Sequence, residues 1–419
     1  MARDFTPQDA HNIVNAIYQQ MTGKNDMTAF DASSFVSVGE KITQLPMENI
    51  FNAISMVLGS TIIDAEAYTG QLTLMEKNAG VYTSLQREIS YYSKLSLADG
   101  DHNTDLYTNF ADGFTAGENK DENGNPQSTK SQWRQNPPIP LELTFGGTDV
   151  WQECVTEYDD KLECAFRSEN EFLAFARGYI QEHTNDVTQR LEGYRRMALV
   201  SKIAQIYAMR SLMPESVVDL TTEYNTFYGT SYTRAQLLTT YLSSFLAFFV
   251  ARFKEVSDHM TKERSVNYHW SPAKTIDGQS YALLKWTPRD RQRVYMFDQF
   301  YRHAESLVLP QIFNPQYLDM NTQFEGVTYW QSIKDRSAID CYTAVTNPET
   351  LLQQKSDRVQ LPYVLGAILD DRGLYINFQL MKARTTPVEA RKGYRNTWLS
   401  IAKNTVINPT QNGVIFIMS

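Results

Sequence analysis

The sequence predicts an α+β protein, in which long helices are followed by short strands. A helical pattern begins at Ser168 and continues to about residue 208, and a second occupies residues 235–260. Strand-like segments come later, at 281–286, 293–297, 326–333, 363–369, 374–380 and the C-terminal 414–418. Helices and strands that are separated along the chain in this way are typical of the α+β class.

The first of these helices, over 168–208, is expected to be a strut. Ser168 and Glu171 form a capping box, in which each side chain can accept a hydrogen bond from a backbone N–H at the helix start. Apolar or small residues then recur at steps of three and four: Phe172, Ala176, Tyr179, Val187, Leu191, Tyr194 and Ala198. At about 1.5 Å per residue the helix would span about 60 Å, which exceeds the width of a compact domain. Its polar face therefore meets water or another subunit.

Length and composition exclude several classes of protein. A chain of 419 residues is too long for one ordinary core, so two or three lobes are expected. A net charge of −9 argues against a sequence-reading nucleic-acid binder, which needs a basic face. The three cysteines (Cys154, Cys164 and Cys341) are odd in number and lack C-x-x-C spacing, so buried free thiols are expected. The first residues, MARDFTPQ, do not follow a signal-peptide pattern.

Residues 1–45 are predicted to form an N-terminal arm. Pro7 can occupy the first turn of a short helix, and Ile13, Ile17 and Met21 follow one another along a single face. About twenty residues cannot bury that face against themselves, so these three residues are candidate inter-subunit contacts. Residues 31–40 are expected to be extended chain and turn, and another helix is predicted after Pro46.

Residues 64–150 are predicted to leave the body of the protein and return as a ribbon. The middle of this segment, 117–127, consists almost wholly of turn-forming residues. Leu141, Leu143 and Phe145 then alternate with polar residues, as in a strand with one apolar face. The segment far exceeds ordinary loop length, which indicates a working role or a partner. These three apolar residues are the second set of candidate inter-subunit contacts.

The apolar run 235–251 is the nearest approach to a membrane span. It has only 17 residues, among them Gln236, two threonines and two serines. A transmembrane helix needs about 20 predominantly apolar residues. A buried helix is therefore the preferred interpretation.

Other patterns resemble ligand sites without completing them. Residues 119–124 follow the start of a calcium loop, but Lys130 stands where the template needs a carboxylate. His183, His259 and His269 lack further ligands at metal-site spacing. One basic cluster contains few aromatic residues and is interpreted as solvated surface: Lys382, Arg384, Arg391, Lys392 and Arg395. No catalytic, cofactor-binding or metal-binding residue is expected, and the protein is not expected to be an enzyme.

An arm, a ribbon, an oversized helix and an ordered terminal strand all present surface that one subunit cannot cover, which is typical of a protein built to assemble. Nine segments in order also resemble the major capsid proteins of tailed bacteriophages, particularly those of small short-tailed phages. They are SSFVSVGE (33–40), NAISMVLGSTI (52–62), ENEFLAFARGYIQ (169–181), DLTTEYN (219–225), TKERSVNYH (261–269), VTYWQSI (327–333), LGAILDDRGL (365–374), GYRNTWLSIAKN (393–404) and QNGVIFIMS (411–419). Together they cover nearly the whole chain.

The resemblance implies the Hong Kong 97-type capsid fold, with the strut as its spine helix. It implies the following division: an N-terminal arm (1–45), a helix leading into the extended loop (46–63), the extended loop (64–150), a peripheral domain with the spine helix (151–262), an axial domain (263–375) and a return to the peripheral domain (376–419).

The function that the resemblance implies is that of a shell protein. Hexamers and pentamers of the chain would form an icosahedral virion head around double-stranded DNA, with assembly in the cytoplasm of the bacterial host. The expected partners are further copies of the chain, a portal, scaffolding or decoration proteins, and DNA bound without sequence specificity; no membrane is expected. The alternatives are another virion component, such as a portal or scaffolding protein, and an enzyme. An enzyme would need a convergent polar pocket with activated groups, and no cluster in the sequence offers one.

Overall fold

The computed structural model describes residues 7–43, 71–77, 85–94, 138–147, 149–158, 182–276, 279–307, 323–347, 352–387, 389 and 391–419. The chain divides into two compact units. The first unit contains Met1–Leu85, Gly146–Ala198 and Tyr375–Val406. The second unit contains Gln86–Phe145, Leu199–Leu374 and Ile407–Ser419.

Helices and strands both occur throughout the described residues, which confirms the α+β class. The helices are α1 (Pro7–Thr22), α2 (Ala32–Thr43), α3 (Glu182–Ala208), α4 (Leu220–Tyr228), α5 (Arg234–Leu238), α6 (Leu242–Lys262) and α7 (Asp298–Leu307). The strands are β1 (Leu85–Tyr91), β2 (Ser93–Lys94), β3 (Pro140–Gly146), β4 (Asp149–Tyr158), β5 (Val217–Asp219), β6 (Lys274–Ile276), β7 (Gln279–Ala282), β8 (Gln292–Phe297), β9 (Phe324–Val327), β10 (Ile339–Cys341), β11 (Ala344–Thr346), β12 (Gln353–Lys355), β13 (Val359–Leu361), β14 (Val364–Asp370), β15 (Leu374–Thr385), β16 (Tyr394–Ile407) and β17 (Gly413–Ile417).

A three-stranded sheet in the order β15–β16–β4 packs against α3 in the first unit. Strands β16 and β4 are antiparallel and pair from Tyr394 with Tyr158 to Lys403 with Asp149. The core between sheet and helix consists of Val187, Leu191, Leu399 and Ile401, with Trp151 and Phe378 packed against it. Since side chains alternate between the faces of a strand, the other face of this sheet points away from α3.

The strut is confirmed over residues 182–208, where α3 runs without interruption. Residues 168–181, including the expected capping box at Ser168, lie outside the described residues. Val187, Leu191 and Ala198 are buried, as their helical spacing predicted. Residues 199–208 of the helix belong to the second unit.

The arm differs from its prediction. Residues 32–43 are a helix, α2, and not the extended chain expected for 31–40. Phe35, Val38 and Ile42 are buried at helical spacing, and the Asp31 carboxylate accepts a hydrogen bond from the backbone N–H of Ser34 (2.7 Å). An aspartate just before the first turn satisfies one of the unpaired N–H groups of a helix start.

The second unit is organised on a five-stranded sheet in the order β5–β17–β14–β8–β9. Strand β17 is antiparallel to β14 and parallel to β5, so the predicted C-terminal strand is confirmed and lies inside the sheet. Every residue of β14 and β17 is buried. Gly366 is required in β14 because a Cβ atom there would lie 2.8 Å from the carbonyl oxygen of Tyr295 on β8.

The second long helix, predicted over 235–260, is two helices. A capping box between Thr233 and Gln236 begins α5, and the chain leaves helical geometry at Thr239, whose φ is −122° and ψ is −77°. The Thr239 hydroxyl donates to the carbonyl of Ala235 (2.7 Å), a bond that competes with the helix ladder. Helix α6 then packs on the sheet, with the ring of Phe253 5.5 Å from that of Phe416 on β17.

Two further strands are shorter than predicted. The strand expected over 281–286 ends at Ala282, and the one expected over 326–333 ends at Val327. Trp330 lies beyond β9, fully buried, and its indole N–H donates to the carbonyl of Val364 (2.9 Å). The apolar residues near Trp330 in the sequence are therefore explained by the burial of a loop and not by strand pairing.

The stretch 376–419 is divided between the two units after Val406. Strand β16 belongs to the sheet that covers α3, whereas β17 belongs to the five-stranded sheet. The domain boundaries implied by the resemblance stay predictions.

The packing of α3 generates a prediction about Val187. Proline there removes a helix hydrogen bond and clashes with the preceding turn, so Val187→Pro should lower the free energy of unfolding by about 3 kcal/mol or more. Val187→Ala removes only buried methyl groups and should cost about 1–3 kcal/mol. Urea unfolding of dissociated subunits, followed by far-UV circular dichroism, measures both. Equal losses of unfolding free energy in the two variants would show that position 187 is not inside a helix, because proline would then cost no more than alanine.

Candidate assembly surfaces

The arm candidates Ile13, Ile17 and Met21 all lie on α1. Ile17 is fully buried and Met21 is half-buried, whereas the side chain of Ile13 is outside the description. Helix α1 lies against α2, and the Asn15 side chain both donates to the carbonyl of Ala29 and accepts from its N–H. The premise that this arm cannot bury its own apolar face is therefore wrong. A further contact with a neighbouring subunit stays a prediction.

The ribbon candidates Leu141, Leu143 and Phe145 lie on β3, which pairs with β1. Leu141 and Phe145 are buried and Leu143 is half-buried, so the alternation predicted for this strand is confirmed. These side chains are covered within a single chain, and the premise that only a neighbour could cover them is wrong. Their contact with another subunit stays a prediction, and residues 95–137 lie outside the described residues.

The sequence analysis missed a surface on the three-stranded sheet. We call it the open face: the side of β4 and β16 that points away from α3. Val150, Tyr158 and Trp398 lie on it and are 52%, 49% and 41% exposed. Cys154 also lies there, free and exposed, so the expectation that the cysteines are buried is wrong for this residue. Cys341 is free and half-buried, and Cys164 is outside the described residues.

A second apolar surface, the aromatic cluster, lies on α4 and α6 of the second unit. Phe227 is 73% exposed, and its ring centroid is 4.9 Å from that of Tyr228 and 5.8 Å from that of Phe248. Tyr224 extends the cluster inward, where its ring meets Phe248 edge-on at 5.4 Å. Contiguous exposed rings of this kind mark interaction surfaces.

A network of buried polar groups surrounds residues 408–412 in the second unit. The Lys202 ammonium donates to the carbonyl of Asn408 (2.7 Å) and to the side chain of Gln205 (3.4 Å). Burial lowers the pKa of Lys202 to about 7, partly offset by the charge of Asp370. The Glu88 carboxylate accepts hydrogen bonds from the side chains of Asn408 and Gln411.

His269 belongs to the same network. Its Nε2 donates to the carbonyl of Leu283 (2.7 Å), and its Nδ1 lies 2.9 Å from the side-chain oxygen of Asn412. Burial lowers the pKa of His269 to about 4, so the ring is neutral at pH 7. The Asn412 amide donates to Thr287, whose hydroxyl donates to Asp370 (2.7 Å). A neutral ring has a single N–H, so it can donate to only one of the two oxygens that it faces, those of Leu283 and Asn412.

The remaining sequence candidates are placed as follows. His259 Nδ1 lies 3.3 Å from the Tyr268 hydroxyl, and the side chain of His183 is outside the description. Within the described residues no three His, Cys, Asp or Glu side chains are grouped as metal ligands would be. The calcium-like segment 119–124 lies outside them. In the basic cluster Arg395 is buried, whereas the others are exposed: Lys382, Arg384, Arg391 and Lys392.

Helix α6, which contains much of the apolar run 235–251, is part of the core of the second unit through Phe245, Phe249 and Phe253. Over the part of the chain that the structure describes, no helix has both the length and the hydrophobicity needed to cross a membrane.

Comparisons with known proteins give remote structural likenesses. No protein-family model and no curated protein matches the chain. A chain in the capsid structure of Staphylococcus phage Andhra is 10% identical, with 83% of this chain and 86% of that one covered and a TM-score of 0.48. A chain in a structure of the head fiber and inner core protein of native bacteriophage P68 is 11% identical, with 84% of this chain and 85% of that one covered and a TM-score of 0.48.

A chain in the capsid of Myoviridae phage XM1 is 10% identical, with 82% of this chain and 89% of that one covered and a TM-score of 0.38.

The buried lysine gives a prediction about pH. The folded pKa of Lys202 is about 7, and in the unfolded chain it is about 10.4, so between these values only the unfolded chain holds the proton. Stability therefore rises with pH through this window. Relative to Lys202→Met, the wild-type free energy of unfolding should increase by about 2 kcal/mol from pH 7 to pH 9. Urea unfolding of dissociated subunits at both pH values measures this difference.

The control is Lys392→Met, which removes an exposed lysine. It should leave the pH dependence of the wild type unchanged. If Lys202→Met also follows the wild type at both pH values, Lys202 is not the group that titrates.

Proposed function

We propose that this chain is the major capsid protein of a tailed bacteriophage, with a Hong Kong 97-type fold. Copies assemble as hexamers and pentamers into an icosahedral head that encloses double-stranded DNA. The observation that carries the proposal is the order of the nine capsid-like segments, which extend from residue 33 to residue 419 and cover nearly the whole chain. One such segment is weak, but nine in one order are specific.

The surfaces of the chain support an assembling role. Both the open face and the aromatic cluster expose large apolar side chains in the single chain: Val150, Tyr158 and Trp398 on the first, and Phe227 and Tyr228 on the second. Soluble monomers rarely expose contiguous apolar patches beyond a few hundred Å². Two such surfaces, one in each unit, are expected of a protein whose neighbours cover them.

The acidic character of the chain suits a container. At a net charge of −9 the protein has no general attraction for DNA, whose non-specific binding depends on phosphate neutralisation by Lys and Arg. The DNA partner is therefore enclosed without sequence recognition. The other partners in this proposal are further copies of the chain, a portal, and scaffolding or decoration proteins. The protein resides in the virion after assembly in the host cytoplasm.

We assign the shifted pKa values of Lys202 and His269 a structural origin. Strongly perturbed titratable groups are often catalytic. Here both side chains hydrogen-bond buried backbone carbonyls, those of Asn408 and Leu283. In this proposal both side chains stabilise the buried segments of irregular backbone that carry these carbonyls, and no catalytic role is assigned to them.

Assembly is the direct test. Purified protein should sediment as capsomers, shells or tubes, because the exposed apolar surfaces are covered only in an oligomer. Analytical ultracentrifugation over a range of concentration and salt, with negative-stain images of the fractions, measures this. A soluble 48.1 kDa monomer under all conditions contradicts the proposal. Isolated rings without shells would favour a portal.

The ribbon gives a second prediction of assembly. Residues 117–127 hold no large apolar side chain to anchor them, so cleavage of dissociated subunits should concentrate between residues 113 and 130. In assembled particles the same bonds should be protected if the ribbon lies across a neighbour. Limited proteolysis of both states, with the cuts mapped by mass spectrometry, is the measurement. Equal cleavage in both states would remove the inter-subunit role from Leu141, Leu143 and Phe145.

A further inference from the structure

The side of β1 that faces the rest of the second unit is polar. Glu88 and Ser90 lie on this side, where Ser90 is buried and the Glu88 side chain is 26% exposed. Ile89 and Tyr91 alternate with them and are more than half exposed. Strands β1 and β3 form a two-stranded sheet, and a pair of strands alone is only marginally stable in water. We call this pair, with the short strand β2, the ribbon base.

Glu88 contacts three side chains from other parts of the second unit. Its carboxylate accepts hydrogen bonds from the amides of Asn408 and Gln411 and from the ammonium of Lys285 (3.5 Å). Asn408 and Gln411 are buried, and Lys285 also donates to the Ser90 hydroxyl (2.8 Å). Hydrogen bonds to an ionised group are stronger than those between neutral groups. One carboxylate thus connects the ribbon base to two separate segments of the unit.

The donors Asn408 and Gln411 are in place only when the chain beyond β16 is folded. They lie in the irregular segment that precedes β17, and the backbone of this segment is held by hydrogen bonds with the rest of the unit. The Trp270 N–H donates to the Pro409 carbonyl (2.9 Å), and the Asn408 N–H donates to the Gly373 carbonyl (2.9 Å). The contact that the ribbon base makes with this segment therefore depends on how the C-terminal part of the sheet is folded.

We propose that Glu88 is a positioning residue, which fixes the ribbon base on the second unit once the C-terminal strand β17 has docked. A subunit whose five-stranded sheet is incomplete lacks the amide donors, so its ribbon base is held less firmly. The inference rests on the proposed function, in which the ribbon meets a neighbouring subunit. It adds that only a completely folded subunit presents the ribbon in a fixed direction. Ordering this element before association lowers the entropy that association must offset.

The charge of Glu88 contributes as well as its shape. The Lys285 side chain is only 20% exposed, and burial lowers the pKa of its ammonium, an effect that nearby carboxylates, first among them Glu88, partly offset. Removing one partner of a partly buried ion pair leaves the other charge uncompensated. An amide at position 88 keeps the size of the side chain but loses this compensation. Glu88→Gln therefore tests the charged contact without opening a cavity.

Hydrogen exchange of dissociated subunits tests the positioning role. In Glu88→Gln the backbone amides of residues 86–94 should exchange about tenfold faster or more, because the ribbon base opens locally, while those of β14 and β17 keep their wild-type rates. The control is Glu142→Gln, which removes an exposed carboxylate that pairs with Arg87 on the same two strands and should change neither set. Unchanged exchange at 86–94 in Glu88→Gln overturns the inference. Faster exchange in β14 and β17 as well would show a general structural role, and would also overturn it.

The link to the C-terminal segment is tested from its other end. Gln411→Met removes one donor with little change in volume and should raise the exchange rate at 86–94 about threefold or more. Because both substitutions remove the same contact, the double variant should exchange there no faster than Glu88→Gln alone. Effects that multiply in the double variant would show that the two residues act separately, and would overturn the link. Should Glu88→Gln not fold, unchanged exchange in Gln411→Met contradicts the inference by itself.

Assembly separates this inference from the proposed function. Glu88→Gln should form shells with a yield about tenfold or more below that of the wild type, although far-UV circular dichroism shows folded subunits. A wild-type protein that forms no shells contradicts the proposed function, whereas the exchange rates still decide whether Glu88 fixes the ribbon base. Normal shells from a Glu88→Gln variant whose ribbon base exchanges faster would overturn the role of Glu88 in assembly and leave the proposed function intact.

Discussion

Strand β17 is the element on which the second unit depends, because it is hydrogen-bonded along both edges. Its partners are β5 on one side and β14 on the other, which come from distant parts of the sequence. Until residues 413–417 are in place, β5 has no connection to the rest of the five-stranded sheet. Helix α6 packs on the same strand through Phe249 and Phe253, so the core cannot close without it either. Pairing of such non-local strands carries the entropy of closing long loops.

The polar network follows from that arrangement. Asn408, Thr410 and Asn412 are buried just before β17, outside any helix or strand, so their backbone groups lack the partners that regular structure supplies. Side chains from elsewhere in the unit supply these partners, and Lys202 is the most costly of them to place there because its charged group is buried. The lowered pKa of Lys202 thus results from burying an irregular segment. Sequence could not predict these contacts, since Glu88 and Asn408 are 320 positions apart.

Periodicity predicted the elements whose burial is one-sided or complete. Strand β14 was predicted because seven consecutive buried residues leave a continuous apolar run, and α3 because Val187 and Leu191 recur at helical spacing. Residues 32–43 were misread because Val36, Val38 and Gly39 disfavour helix locally, whereas packing on α1 decides the outcome. Cys154 was predicted to be buried from the number and spacing of the cysteines, which do not reveal which face of β4 a helix will cover.

That last ambiguity matters most for function. Two carboxylates of β4, Asp149 and Glu153, lie on the same side of the strand as Trp151, which packs against the core. Lys403, opposite Asp149, donates to its carboxylate and lies over the ring of Tyr194. The free-energy cost of burying Lys403 is thus offset within the subunit, by its ion pair with Asp149. The opposite face is not free of charge, because the pairing of Thr386 with Asn396 sets the exposed Arg384 of β15 opposite Trp398. The neighbours that decide which side of β4 is covered lie far away in the sequence, since Asn396, the partner of Thr156, is 240 positions from it.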